Sequence, residues 1–202
     1  MVSASSAIIE NINSMRKSGL ASLAFFYCDD EKSDVRGLLS SVLIQLCHQS
    51  DSYSQILSEF YSENENGLED PSDKELERRL KDILEVPGQA PIYLVVDGLN
   101  ECSNTSAIPS PREKVLMLLE DLVDSKLQNL RICITSRTEI DIKEALEPLT
   151  SCSVCLHDAS GQRKDIDEYI KSVVNTDPKM RKWEATDREL VINVLTKNSD
   201  GV

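Results

Sequence analysis

The sequence is poor in positive charge and has no long apolar run. Its 202 residues include 22 lysines and arginines against 35 acidic residues, a formal net charge of −13 at pH 7. Nucleic-acid binding draws on a surplus of positive charge, so we expect neither DNA nor RNA as a partner. The longest apolar run, residues 20–28, is far shorter than the roughly 18 residues of a membrane-spanning helix. We therefore expect no membrane partner and, without a signal-peptide pattern at the N-terminus, a cytoplasmic protein.

The cysteines lack the spacing of a metal site. Six are present, and four of them lie inside apolar runs, where a thiol behaves as a small hydrophobic group. The one close pair, Cys152 and Cys155 with His157 nearby, has no second ligand pair at the spacing of a zinc site. We expect a strand with reduced thiols there. Redox chemistry at this pair would instead require a low-pKa thiol at a helix start.

The sequence also lacks the phosphate-binding motif G-x-x-x-x-G-K-[ST]. None of its seven glycines precedes a lysine. In nucleotide-binding proteins that motif supplies backbone N–H donors, a lysine for the phosphates and a hydroxyl for Mg²⁺. Any nucleotide chemistry must therefore be sought in other segments.

Helical and strand-like patterns alternate along the chain. Continuous apolar runs, which are typical of buried strands, lie at 20–28, 91–97, 131–135 and 153–156. Amphipathic helices are predicted around and between them, including 1–18, 162–174 and 186–197. This alternation predicts an α/β fold with a parallel sheet and helices on both of its faces.

Several helix starts are predicted from capping residues. The capping-box pattern, a serine followed three residues later by a glutamate, occurs at Ser72 and at Ser110. Ser33, Thr138 and Thr186 are predicted to cap three further helices.

The strand predicted at 91–97 ends in Asp97. Open α/β sheets bind ligands outside the carboxyl ends of their strands, where a carboxylate can hold hydrated magnesium facing a phosphate. Asp97 is therefore the candidate metal ligand. The alternative is that Asp97 and Gly98 simply end the strand in a turn.

The strand predicted at 131–135 runs into Ser136 and Arg137. If this strand lies beside 91–97, both residues emerge at the same sheet edge as Asp97, which places a guanidinium where a phosphate could sit. The alternative is a surface arginine in a strand-to-helix loop.

The order of these segments carries a family resemblance. FFYCDD, a leucine-rich helix, IYLVVDGLNEC, LRICITSR and DEYIKSVV follow one another along the chain. This order resembles the NACHT domain of fungal STAND-type P-loop NTPases, of the nephrocystin-like N-terminal kind, over nearly the whole length. The resemblance implies a three-layer P-loop core at 1–175 and the start of a helical region at 176–202.

The resemblance also implies ligands and roles. The complete family domain binds Mg²⁺ and ATP or GTP. By this analogy Asp97 binds the metal, Glu101 positions the attacking water, and Ser136 with Arg137 lies near the terminal phosphate.

Two departures from the family pattern bear on activity. Asn100 stands where the family usually has a second aspartate, and an amide cannot act as a base. The phosphate-binding loop is missing, so the chain resembles one truncated just after that loop, without the first strand of the sheet. We expect it to bind no cofactor on its own and to lack turnover.

The resemblance implies a signalling module whose partners are proteins or flanking domains. Without the strand that feeds the phosphate loop, the sheet should have an unpaired edge, and we expect self-association through it. The alternative function is a non-catalytic α/β protein-interaction or scaffold module from a truncated gene product.

Overall fold

The computed structural model describes residues 4–29, 33–64, 67, 70–155 and 160–198. The chain forms two compact units, Met1–Thr150 and Ser151–Val202. The sequence predicted a different kind of boundary, after residue 175, between a nucleotide-binding core and a helical region. That boundary stays a prediction.

The first unit contains a sheet of three parallel strands, which lie in the order β1, β2, β3. The strands are β1 (Ser22–Tyr27), β2 (Ile92–Asp97) and β3 (Leu130–Ile134). The helices of this unit are α1 (Ala4–Lys17), α2 (Val35–Cys47), α3 (Asp51–Glu63), α4 (Asp73–Leu84), α5 (Pro111–Asp124) and α6 (Ile140–Leu146). Short 3-10 turns at Leu99–Glu101 and Glu147–Leu149 follow β2 and α6.

The second unit contains α7 (Ser160–Thr176), a 3-10 turn at Met180–Lys182 and α8 (Ala185–Asn198). Both helices were predicted from periodicity. Thr186 was predicted to cap the last helix, but α8 already includes this residue, so that prediction was wrong. Among the described residues of the chain, no helix combines the length and the apolar character needed to cross a bilayer.

The sheet is covered on both faces, because successive strand residues point to opposite sides. One face carries Ala24, Leu94 and Val96 into the main core, together with leucines of α2, α4 and α5. The other face carries Leu23 and Val95 toward α1, which contributes Ile8, Ile12 and Met15. This is the three-layer α/β arrangement predicted from the alternation of strands and helices.

Two of the remaining predicted helix caps were right and two were wrong. Capping boxes form at Ser72 and Ser110 as predicted. Helix α2 is capped by Asp34, whose side chain accepts the Gly37 N–H at 2.7 Å. Ser33 does not cap it, because its hydroxyl accepts the N–H of Asp29 instead.

The other wrong cap and a wrong strand lie further along the chain. Helix α6 begins after Glu139, so Thr138 does not occupy the capping position. Residues 153–155 of the predicted fourth strand are not in a strand, and Val154 is 73% exposed. No described strand pairs with them, and an extended segment without a ladder partner gains no sheet hydrogen bonds. The last residue of that prediction, 156, lies outside the described residues.

The outer edge of β1 is closed by two glutamine side chains, that of Gln45 in α2 and that of Gln49, which lies two residues beyond the end of α2. Gln49 accepts the Leu23 N–H at 2.9 Å and donates to the Leu23 carbonyl at 2.6 Å. Gln45 does the same for Phe25, at 3.0 and 2.7 Å. The two glutamines lie one helical turn apart, and Leu23 and Phe25 are the residues whose backbone groups point away from β2. Their amides therefore replace a neighbouring strand.

The outer edge of β3 has no such cover among the described residues. The Thr135 N–H bonds to Val96 and the Asn129 carbonyl to Ile92, at 2.9 and 2.8 Å. In a parallel ladder alternate residues bond to opposite sides, so Ile132 and Ile134 direct their N–H and C=O groups away from β2. The unpaired edge expected from the sequence was the one left by a missing first strand, and that expectation stays a prediction.

We predict that Gln45→Ala lowers the free energy of unfolding by about 1–2 kcal/mol, because two backbone groups of Phe25 lose their partners. Urea unfolding measures this change. Gln55→Ala is the matched control, since Gln55 is exposed on α3 and bonds only to Glu59; we expect a change within about 0.5 kcal/mol. Equal effects of the two substitutions would contradict a role in closing the edge.

Candidate functional site

Asp97 lies at the carboxyl end of β2, where the sequence predicted it. The chain then reverses at Gly98, which has φ 71° and ψ 41°, a left-handed conformation that favours glycine. The 3-10 turn that follows brings Glu101 back toward Gly98. A Cβ at Gly98 would lie only 3.5 Å from the Glu101 carboxyl carbon. The sharp reversal therefore keeps Asp97 and Glu101 at the same end of the strand.

Thr135 joins the end of β3 to this turn. Its hydroxyl donates to Asp97 Oδ1 and accepts the Gly98 N–H at 3.0 Å. Its carbonyl accepts the Leu99 N–H, also at 3.0 Å. One carboxylate oxygen of Asp97 is thus held by Thr135, which orients the other for a further ligand. Sequence reasoning missed Thr135, although a hydroxyl at the end of an apolar strand was a visible signal.

Arg137 is brought to the same sheet edge through its backbone. Its N–H donates to the Asn100 side-chain oxygen at 2.9 Å. The guanidinium is exposed and makes no ion pair with any described residue, so it is available to an anion. Ser136 is also exposed, but its hydroxyl donates to the Arg137 carbonyl at 2.8 Å. The structure thus brings Asp97, Glu101, Ser136 and Arg137 to one end of the sheet.

The turn after β2 is held by hydrogen bonds from Arg112, a residue that sequence reasoning also missed. Arg112 is 5% exposed and lies near the start of α5. Its guanidinium donates to the backbone carbonyls of Asn100 and Cys102 at 2.5 and 3.0 Å. A signal was present in the sequence. Position 112 shares the helical spacing of Val115, Leu116 and Leu119, so the charged Arg112 lies on the buried face of α5.

Two thiols lie near the carboxylate of Asp97: Cys28, which is buried, and Cys133, which is half-buried. The Cys28 thiol hydrogen-bonds to the Cys102 thiol, and this bond, together with burial and the nearby charges of Asp97 and Glu101, raises the Cys28 pKa far above its ordinary value. Burial and Asp97 likewise raise the pKa of Cys133. Cys28 and Cys133 therefore remain protonated near neutral pH and do not supply thiolate ligands or nucleophiles.

The donor set fits a magnesium ion but not a protein-caged metal. Within the described residues no group of three or more His, Cys, Asp or Glu side chains is close enough to hold a metal ion. Mg²⁺ is commonly held by one or two carboxylates, several waters and the phosphates of its substrate. Asp97, with one oxygen already held by Thr135, matches a site of that kind.

A comparison with models of protein families identifies the family of this chain. A model of the family described as nephrocystin 3, N-terminal, matches residues 3–137. The chain belongs to the nephrocystin 3 N-terminal family. The matched segment runs from α1 to Arg137 and so includes every candidate site residue. Searches of curated proteins and of solved structures found no match.

We predict that Thr135→Val lowers the free energy of unfolding by about 1–3 kcal/mol, because the half-buried Asp97 and the Gly98 N–H both lose a hydrogen-bond partner. Urea unfolding measures the change. Thr135→Ser keeps the hydroxyl and should retain most of the stability. Thr138→Val, at an exposed position nearby, should change it by less than about 0.5 kcal/mol. A Thr135→Val protein as stable as Thr138→Val would contradict the linking role of Thr135.

Proposed function

We propose that residues 3–137 supply the magnesium-binding and phosphate-sensing part of a STAND-type nucleotide-binding signalling domain of the NACHT class. One observation supports this most directly. Asp97 and Arg137 follow different strands, but both are bonded across the turn after β2. The Thr135 hydroxyl donates to the Asp97 carboxylate. The Arg137 N–H donates to the Asn100 side-chain oxygen at 2.9 Å. A carboxylate for a hydrated cation and a free guanidinium for a phosphate then face one edge of a parallel sheet, where such folds bind ligands.

In this proposal each site residue has a separate task. Asp97 would hold hydrated Mg²⁺, and Arg137 would contact the terminal phosphate of ATP or GTP. Ser136 provides a neutral hydroxyl beside that phosphate. Glu101 orients water, since it is the acidic side chain of the turn. The cation, when bound, neutralises phosphate charge and orients the nucleotide.

Asn100 makes hydrolysis depend on Glu101. The Asn100 side-chain oxygen is occupied by the Arg137 N–H, and an amide has no capacity to accept a proton from water at neutral pH. Asn100 therefore acts as a connector between the two site segments. This division of labour favours a domain that binds and senses a nucleotide over one that hydrolyses it quickly.

The missing phosphate-loop motif limits affinity. Hydrogen bonds to charged groups contribute about 1.5–3 kcal/mol each, so the loss of three or four removes roughly 5–10 kcal/mol of phosphate binding. Each 1.4 kcal/mol is about a factor of ten, so a micromolar site weakens to millimolar or beyond. We propose that the 202 residues alone hold no nucleotide at cellular concentrations and do not turn it over.

We predict that the chain binds Mn²⁺, a spectroscopic substitute for Mg²⁺, on the order of 1 mM through Asp97. Electron paramagnetic resonance of free Mn²⁺ measures this binding. Asp97→Asn keeps the shape of the side chain and the oxygen that accepts from Thr135, but it loses the charge. The variant should therefore bind one Mn²⁺ ion fewer than wild type. Asp124→Asn removes an equal charge from the exposed end of α5 and should leave the binding of that ion unchanged.

Two results decide the proposal. Equal Mn²⁺ binding by wild type and Asp97→Asn would sink the assignment of the metal site. In a parallel thermal melt, Mg²⁺ with ATP or GTP up to millimolar concentration should not raise the melting temperature, because only a ligand of the folded state does so. A rise that Asp97→Asn abolishes would show that the remaining residues suffice for nucleotide binding.

The open edge of β3 favours a second candidate, a protein-interaction module that pairs with a second copy of itself. The opposite edge is closed by Gln45 and Gln49, so, as far as the described residues show, an added strand would pair beside β3. An antiparallel two-fold pairing centred on Cys133 places Ile132 opposite Ile134 of the other copy. Both residues direct N–H and C=O groups outward that have no partner in the described part of the chain, so this register would form four hydrogen bonds. It also places Arg131 opposite Thr135, which avoids a like-charge pair.

We predict that the chain forms a concentration-dependent dimer, measured by light scattering during size-exclusion chromatography. Ile132→Pro removes an outward N–H without removing a bond to β2, so it should shift the protein to monomer. Ile132→Val is the matched control because it keeps the N–H and a strand-favouring side chain. A monomeric wild type at all concentrations, or a dimer unaffected by Ile132→Pro in a folded protein, would overturn this candidate.

A further inference from the structure

Arg112 is a buried charge whose contacts link the two segments of the candidate site. Its side chain is 7% exposed, whereas its acidic partners Glu139 and Asp141 are 38% and 37% exposed. Burial of a guanidinium is costly unless its donors are satisfied. All three nitrogens of Arg112 donate hydrogen bonds, so the charge is fully engaged.

The contacts divide between the segment after β2 and the segment after β3. On the first segment, Arg112 Nε donates to the Cys102 carbonyl at 3.0 Å and Nη2 to the Asn100 carbonyl at 2.5 Å. On the second, Nη1 donates to Asp141 at 3.2 Å and also to Glu139. One planar group therefore holds two loops at a fixed separation, and a flexible ammonium group cannot reproduce that fork.

The two segments also contact each other closer to the carboxyl ends of the strands, where the candidate site lies. The Asn100 side chain accepts the Arg137 N–H at 2.9 Å, while the Asn100 carbonyl accepts from Arg112. Asn104 Nδ2 also donates to Asp141 at 3.3 Å. Asn100 is thus bonded both to Arg112, through its carbonyl, and to Arg137, through its side chain. The position of the Arg137 backbone therefore depends on Arg112 by way of Asn100.

Stability alone does not account for this arrangement. A buried ion pair is often no better for stability than apolar residues of the same volume, and α5 is otherwise apolar along this stripe. Directional bonds to backbone carbonyls instead fix geometry, because each one restricts where the loop can lie.

We infer that Arg112 is a positioning residue that fixes the turn carrying Glu101 relative to the segment carrying Arg137. The use of this geometry for a metal and phosphate rests on the proposed function. The positioning itself does not, because it follows from contacts within the chain.

Hydrogen exchange of the full chain, followed by mass spectrometry, tests the positioning. In Arg112→Met we expect amide exchange to rise roughly tenfold in peptides covering 98–103 and 135–141, the effect of losing one or two hydrogen bonds. Exchange within β2 and α1 should not change. Arg112→Lys keeps the charge but not the fork, so it should not restore protection.

Two controls separate this role from a general loss of stability. Arg36→Met removes another arginine that binds a carbonyl and two carboxylates, at Pro71, Asp70 and Asp73, and it should leave both site segments unchanged. Glu139→Gln with Asp141→Asn should loosen 135–141 more than 98–103, since the carbonyl contacts of Arg112 survive. If Arg112→Met does not fold, this double variant and Arg112→Lys decide the question.

A ligand readout distinguishes the two proposals. Mn²⁺ binding that wild type shows and Asp97→Asn lacks should weaken at least about threefold in Arg112→Lys, since a misplaced turn disturbs the site. If wild type binds no Mn²⁺, the proposed function fails while the exchange data still decide on Arg112. A uniform rise in exchange across the first unit, no rise in the two segments, or full protection in Arg112→Lys would overturn the inference.

Discussion

The parallel pairing of β2 with β3 is the constraint on which the candidate site depends. It places Asp97 one residue beyond the end of the ladder, directly beside Thr135, whose hydroxyl donates to the carboxylate. The Gly98 turn, the Asn100 contact and the Arg112 brace all start from that register. A slip of one residue would turn every side chain of β3 to the opposite face and separate Thr135 from Asp97.

Much of this arrangement could be predicted from the residues, for a simple reason. Strands such as IYLVVD are buried on both faces and read as uninterrupted apolar runs, and the capping boxes at Ser72 and Ser110 are local patterns. Asp97 ends one such run and Arg137 follows another, which is why both were predicted to lie at this end of the sheet. The prediction was wrong for residues 153–155, because an apolar stretch forms a strand only where a neighbouring strand is present to pair with it.

Long-range contacts were not predictable in the same way. The bond from Thr135 to Asp97 spans 38 residues, and the bonds from Gln45 and Gln49 to β1 span 20 and 26. Such contacts depend on which strands become neighbours. Ser33 shows a different limit, because two local bonds compete for its hydroxyl: the sequence pattern assigned it to a helix cap, whereas the fold uses it for the backbone of Asp29, four residues earlier. Asn100, seen from the sequence as a lost acid, is in the structure a connector between two loops.

The glutamine closure of β1 also sets the topology of any assembly that this sheet can form. A sheet with two open edges can add strands at both ends and grow without limit, as fibrils do. Here Gln45 and Gln49 block one end, and their side chains cannot be displaced without breaking four hydrogen bonds. If two copies associate through β3, as proposed above, each copy uses the one edge that is open among its described residues. That association would give a closed pair with two-fold symmetry instead of a filament.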